Sequence, residues 1–250
     1  MSRAGWLRLL LLVAAVVLLE VACRLEWISK LTMVPPSAMA AELAKQFRTG
    51  EIWPHITESF RKVVVAFMLS VAGGLLAGVV VHAIPRLRRV VDPLLASYFS
   101  VPFFIFYPLF IVLLGLNDWP LIAIAFMFAA VAMMVNVLNG LDRIPRVLLK
   151  VARVHHLDRT RLAWLILLPA AAPHLFTGVQ LALADSFVGV LACEFIMAGS
   201  GLGYSIAFAY DNFKNATMYA LVVFVLLTVT FINVGLHLWE QRILKRRSRA

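Results

Sequence analysis

Residues 63–84 read VVVAFMLSVAGGLLAGVVVHAI, and Pro85-Arg86-Leu87-Arg88-Arg89 follows at once. The run holds no Asp, Glu, Lys or Arg. A helix needs about 20 apolar residues to cross the hydrocarbon of a bilayer. This stretch therefore reads as a transmembrane helix, ended by Pro85 and anchored by the cations beyond it.

The rest of the chain supports that reading. It is 62% hydrophobic and 14% charged over 250 residues, with a mean hydropathy of +0.91. Soluble domains hold about 45–50% apolar and about 25% charged residues. A soluble fold could not hide so much apolar surface, whereas lipid can serve as the outer solvent. Further apolar runs occur at 6–23, 94–114, 121–138, 175–197 and 218–238. Together they give an all-α membrane protein of six spans. Pro102 and Pro108 interrupt the 94–114 run. The first run follows Arg3, but no clear cleavage site precedes Arg24, so it reads as a retained span and not a signal peptide. The expected organisation is a first helix with the start of an external segment at 1–33, a transmembrane domain at 34–240 and a basic tail at 241–250.

The net charge of +10 suggests nucleic acid at first sight. The cations, however, lie between and beside the apolar runs, as the positive-inside bias predicts. With the N-terminus in the cytoplasm, 16 of the 23 Lys and Arg fall on the cytoplasmic side, Arg249 of the tail among them. The other seven, Lys30 among them, fall outside. Both termini are thus expected in the cytoplasm, with no nucleic-acid partner. Between the first two spans, residues 38–47 have helical apolar spacing. Ser37 is placed to cap that helix and Gly50 to follow its end. This segment is expected to lie on the membrane surface.

The stretch 150–169 is too polar for the bilayer and longer than a minimal connection. Apolar residues recur at helical spacing on both sides of His155-His156: Val147, Leu148, Val151 and Val154 before, Leu162, Leu165 and Ile166 after. The spacing predicts two short helices joined at 156–158, a knob below the membrane. Pro169 and Pro173 are expected to break the chain as it re-enters the bilayer.

Here the sequence resembles the permease subunits of binding-protein-dependent ATP-driven importers. Their cytoplasmic signature begins Glu-Ala-Ala, continues to a Gly and ends Ile-x-Leu-Pro. Ile166, Leu168 and Pro169 fall on its end and Ala152 on the second Ala, while Lys150, Val151 and His156 replace the Glu, the first Ala and the Gly. The resemblance is closest to the nitrate/sulfonate/taurine group. It extends through Val34-Pro35-Pro36-Ser37, Gly50 to His55, Ser59-Phe60-Arg61-Lys62, Arg88-Arg89-Val90-Val91-Asp92-Pro93, Pro102, Pro108-Leu109, Gly115, Pro173, Thr177-Gly178, Glu194 and Gly201-Leu202-Gly203.

The resemblance implies a type I importer fold and a subunit that is not itself an enzyme. ATP is bound by separate ABC ATPase subunits, and no cofactor is expected in this chain. A periplasmic or lipid-anchored solute-binding protein would deliver a small solute, and two permeases would pair as a homodimer. It further implies an ATPase-coupling loop formed by Lys150, Val151, Ala152, His156, Leu157, Leu162, Ile166, Leu168 and Pro169. Gly201 and Gly203 would lie at the external gate or the binding-protein contact. His156 has a Cβ where the family has Gly, and Lys150 reverses a charge, so a coupling-impaired homologue is an alternative.

Other residues carry less. Asp185 and Glu194 lie in the fifth span, where ionisable groups face a cavity or a partner. Both are candidates for the translocation path, and Glu194 is equally a candidate for a hydrogen-bonding role beside the Gly-rich turn. Gly74 and Gly78 form a small-xxx-small pair suited to close helix packing. Cys23 and Cys193 show no metal spacing, and adjacent His155 and His156 splay apart on a helix. The sequence contains no phosphate-binding Gly-x-x-x-x-Gly-Lys-Ser/Thr loop. A self-sufficient secondary transporter or channel is the main rival; such proteins carry inverted repeats and more deep charges. A membrane-embedded enzyme would need a carboxylate or histidine cluster that is not visible here.

Overall fold

A computed structural model describes residues 3–29, 32–98 and 101–247; Lys30 and Arg249 lie outside the described residues. The helices are α1 (Arg3–Arg24), α2 (Pro36–Thr49), α3 (Ile52–Ala83), α4 (Pro85–Tyr98), α5 (Tyr107–Leu114), α6 (Trp119–Asp142), α7 (Arg146–Val154), α8 (Arg159–Leu162), α9 (Leu168–Met197), α10 (Leu202–Asp211) and α11 (Asn215–Arg247). No strand occurs among the described residues. The runs Ile52–Ala83, Trp119–Asp142, Thr160–Met197 and Asn215–Gln241 are long and apolar enough to cross a membrane. Phe103–Leu114 is a shorter apolar helix.

Several expectations change in detail. The run 94–114 is not one span: α4 ends at Tyr98, and the chain restarts as a 3-10 turn, Phe103–Phe106, leading into α5. Pro102 and Pro108 each lack the N–H that a continuous helix would use. Pro85 ends α3 as expected, and it then opens a further helix, α4. That position suits Pro, because the first helical N–H has no partner anyway. Ser37 does not cap α2 with its own side chain. Glu20 of α1 does so instead, accepting from the Ser37 N–H at 3.0 Å and the Ser37 hydroxyl at 2.7 Å, while Arg24 Nε holds it at 2.6 Å. A carboxylate at a helix N-terminus satisfies free N–H groups and complements the dipole. Gly50 ends α2 at φ 81, its N–H bonded to Gln46 O, as expected.

The chain divides into two units. The first comprises Met1–Ser59 with Glu194–Thr228. In it the ring of Phe47 meets those of Trp53 and Phe224 edge to face, and Thr217 Oγ1 donates to Glu42 at 3.1 Å.

The second comprises Phe60–Cys193 with Val229–Ala250. Here α6 is the axis. Half of its most apolar stretch is buried, against 28% for α3, because small residues approach it on two sides. On Gly74 a Cβ would meet Met133 Cβ at 2.7 Å, and on Gly78 it would meet Val137 Cβ at 2.7 Å. From α9, Gly178 and Gly189 press on Met133 and Ala125 in the same way. The small-xxx-small pair therefore serves packing within one chain. Close backbone approach is how membrane helices gain van der Waals contact when lipid removes the hydrophobic drive.

Both ends of α6 are tied by an aspartate. Asp118 pairs with Arg61, and the buried Lys62 amine lies 3.7 Å away. Asp142 accepts from Arg88 at 2.8 Å, with His82 Nδ1 at 3.1 Å. The bond to Asp142 holds the Arg88 guanidinium above its already high pKa.

All six tryptophans are more than half exposed, and each sits near an end of a long apolar helix. Trp6 and Trp27 flank α1, Trp53 and Trp119 open α3 and α6, Trp164 precedes α9, and Trp239 lies late in α11. Amphipathic rings at span ends are the mark of a membrane–water boundary.

Candidate functional site: a polar hairpin and a buried turn

The first site is the hairpin of α7 and α8. Pro145 precedes α7, whose apolar residues follow helical spacing. Val147, Val151 and Val154 form an exposed stripe, 67%, 44% and 75% accessible, while Ala152 on the opposite side is buried. Such a row of exposed branched apolar side chains is the kind of patch that meets another protein or a membrane. Lys150 is exposed beside it.

His156 ends α7 with φ 49, in the left-handed region. The His156 N–H donates to Arg153 O at 3.1 Å and the Leu157 N–H to Ala152 O at 3.0 Å. These are the two bonds of a Schellman motif, which normally uses Gly at this position. The turn is thus made here with His, at the position that the resemblance above sets against a Gly.

Asp158 then caps α8: its Oδ1 accepts from the Arg161 N–H at 3.2 Å and its Oδ2 from the Thr160 hydroxyl at 2.7 Å. Leu157 and Leu162 stand where a hydrophobic staple joins them across a cap. With Leu149, Ala152, Arg153 and His156 they line a hollow of about 550 Å³. Both leucines are half-buried, so they shape the hairpin, and the valine stripe of α7 faces outward.

The expected break at Pro169 and Pro173 does not occur. After α8 the helix widens to a π turn, Ala163–Leu167, and continues as α9 through both prolines. The Leu168 N–H reaches back to Ala163 O, five residues away. Pro169 cannot donate, and its ring would strike the carbonyl four residues back. The wider turn relieves that clash, so Ile166 lies within it and Leu168 and Pro169 open α9.

The second site lies in the first unit, at the turn between α9 and α10. Glu194 is fully buried. Its Oε2 accepts from the Ser59 hydroxyl at 2.6 Å and from the Gly203 N–H at 3.1 Å, and the Leu202 N–H donates to Ser59 Oγ at 2.7 Å. The carboxylate therefore caps α10 from the preceding helix, with Ser59 as intermediary. Gly201 precedes α10 at φ 108, where a Cβ would collide with the Glu194 carboxyl group. Sequence reasoning missed Ser59 as the partner of Glu194 and missed α10 altogether. Gly201 at the cap position was the available signal.

Beside this turn, α2, the start of α3 and α10 bound a cleft of about 850 Å³. His55, Tyr204 and Phe208 line it in sequence, their ring centroids 6.4 and 6.0 Å apart. The Lys214 amine stands 5.6 Å over Phe208. Phe213 at the lip is 80% exposed, with φ 55.

Asp185 of α9 is half-buried, and among the described residues no hydrogen bond or ion pair reaches it. It belongs to neither site. No group of three metal-ligating side chains occurs among the described residues.

A family model described as the inner membrane component of binding-protein-dependent transport systems matches residues 70–249. The chain is 25% identical to the taurine transport system permease protein of Escherichia coli, covering 88% of this chain and 82% of that one. It is 26% identical to the putative aliphatic sulfonates transport permease protein of Bacillus subtilis, covering 99% and 90%. It is 26% identical to the nitrate import permease protein of Leptolyngbya laminosa, covering 74% and 66%. Among solved structures, an inward-facing MetNI methionine ABC transporter chain superposes with a TM-score of 0.64 at 22% identity, covering 79% of this chain and 97% of that one. That likeness establishes the fold.

Proposed function

The chain belongs to the family of binding-protein-dependent transport system inner membrane components, and from that membership we propose how it couples ATP hydrolysis to solute movement. It is the membrane-embedded, non-catalytic permease of an ABC importer. In our reading two copies pair, the α7–α8 hairpin hangs in the cytosol, and each hairpin sits in a groove of an ATPase subunit. Closure of the ATPases moves the hairpins. Because α9 continues from α8 without a break, that movement enters the span directly. The solute is a small sulfonate-, taurine- or nitrate-like molecule, a class supported by what the relatives are named for.

The observation that carries this reading is the exposed valine stripe of α7 above a fully formed turn. A degenerate hairpin has no reason to keep both Schellman bonds, the Asp158 cap and an outward apolar row. Val147, Val151, Val154 and Lys150 make the ATPase contact, while Ala152, His156, Leu157 and Leu162 hold its shape. Lys150, with Arg146 and Arg153 around it, calls for an acidic ATPase groove. Glu194 and Gly201 act as a latch that fixes α10 and, with Gly203, shape the external gate. The adjoining cleft faces the solute-binding protein. Asp185, half-buried and with no partner among the described residues, lines the path.

The test is co-purification. The wild-type chain brings an ABC ATPase with it, and Val151→Asp with Val154→Asp releases that ATPase while the chain still extracts as a folded species. Solute accumulation by the purified chain alone would favour the secondary-transporter reading. Labelling of the hairpin from outside the cell would end the proposal.

A further inference from the structure

The bilayer stretch of α11 is the barest of the four long runs, with 6% of its most apolar stretch buried. Against α9 it leaves a groove of about 430 Å³. The groove runs along both helices and changes character along its length. Leu181 and Ala184 of α9 with Asn233 and Val234 of α11 line one end. Thr177, Gln180, His237 and Leu238 line the part nearer the start of α9 and the end of α11.

A polar collar closes that end. The Gln180 amide donates to Glu240 Oε2 at 3.0 Å, His237 Nδ1 lies 3.5 Å from the same carboxylate, and Gln241 Nε2 is 2.9 Å from His237 Nε2. Glu240 is 13% exposed, so its charge is turned inward onto Gln180 and His237. Phe176 and Trp239 meet edge to face at 5.8 Å at the same level, where a ring pair marks the headgroup boundary. Beyond Gln241 the helix continues to Arg247 and carries Arg242, Lys245, Arg246 and Arg247.

We propose that this groove holds an anionic phospholipid of the leaflet that faces the basic tail. Its acyl chain lies along Leu181, Ala184 and Val234, and its phosphate sits at the His237 collar, at the end from which the helix runs on into the basic tail. Three observations select this occupant. The groove is mostly apolar, and three of its four polar residues, Thr177, Gln180 and His237, gather at one end. The collar stands at the ring boundary. The charge that follows is uniformly positive, and basic clusters just beyond a membrane helix draw anionic headgroups. The assignment to the cytoplasmic leaflet rests on the orientation proposed above.

The experiment measures lipid retained by the full-length chain, with whatever subunits accompany it, after extraction from membranes containing phosphatidylethanolamine, phosphatidylglycerol and cardiolipin. Wild type is expected to keep phosphatidylglycerol or cardiolipin through washing and to lose phosphatidylethanolamine. Lys245→Gln with Arg246→Gln and Arg247→Gln is expected to lower that retention about tenfold. Val234→Trp, at a membrane-facing position that accepts bulk, fills the groove and is expected to do the same with the tail intact. Equal retention of all three lipids by wild type, or unchanged retention in both variants, overturns the proposal. So does a disulfide between two copies through Val234→Cys, which puts a second chain on the groove. Retention is read on the protein itself, so it is separate from the co-purification that tests the importer reading.

Discussion

Two turns in this molecule solve the same problem in opposite ways. Each leads into the start of a helix, and each includes a residue with positive φ. At the hairpin, His156 takes φ 49 on an exposed surface, and the cap is the neighbouring Asp158. At the α9–α10 turn, Gly201 takes φ 108 in a buried one, and the cap is Glu194 from the helix before. The lesson concerns tolerance. A left-handed residue in water costs only its backbone strain, about 1–2 kcal/mol. A left-handed residue under a buried carboxylate also has no volume for a Cβ. The other non-glycine residues with positive φ, Glu26 and Phe213, fit the first pattern among the described residues. Both are exposed and end a helix through the same pair of Schellman bonds.

This contrast can be broken by substitution. Gly201→Ala is expected to have the largest effect, on the order of 4 kcal/mol, from a backbone region closed to Cβ plus overpacking. Thermal unfolding in detergent would show it as loss of the folded species. Survival of Gly201→Ala with an unchanged midpoint would erase the distinction between the turns. Glu194→Ala comes next, at about 3 kcal/mol, because Ser59 and the Gly203 N–H are left buried without their acceptor. Glu194→Gln keeps an acceptor and should recover part of that loss in the same melt.

Effects at the hairpin should be smaller. Asp158→Ala removes an exposed cap and is expected to cost about 1 kcal/mol. Limited proteolysis at 155–162 would report it as faster cleavage, with the global melt nearly unmoved. His156→Gly should act in the opposite direction, steadying the turn by about 0.5–1 kcal/mol through relief of φ strain. If His156→Gly also leaves ATPase binding intact, the departure from the family's Gly is a matter of backbone cost alone. Reduced ATPase binding would show that the imidazole itself touches the partner.

The reading of the hairpin from sequence was good because its determinants are local. The valine spacing, the joint at 156–158 and the Asp158 position are all set within a few residues of each other. The reading of Glu194 left two roles open because its partner, Ser59, lies 135 positions away. Pro169 shows a third case. A proline inside an apolar run announces a break, yet the chain had a second way to avoid the clash, a π turn. Likewise Ser37 looked like a cap, and Glu20 of another helix occupied the role.

By itself the sequence determined that this chain spans a membrane as helices, where most of those helices lie, and which connection forms the polar knob. Those properties follow from apolar run length, helical periodicity and charge placement, which act along the chain. The tertiary structure decided that α6 is the packed axis of its unit, that Gly74 and Gly78 press on it, and that Glu194 latches α10 through Ser59. Each of these depends on which side chains from distant positions share a few ångströms of space. Close packing is a property of the assembled helices and leaves no periodic trace in any one of them.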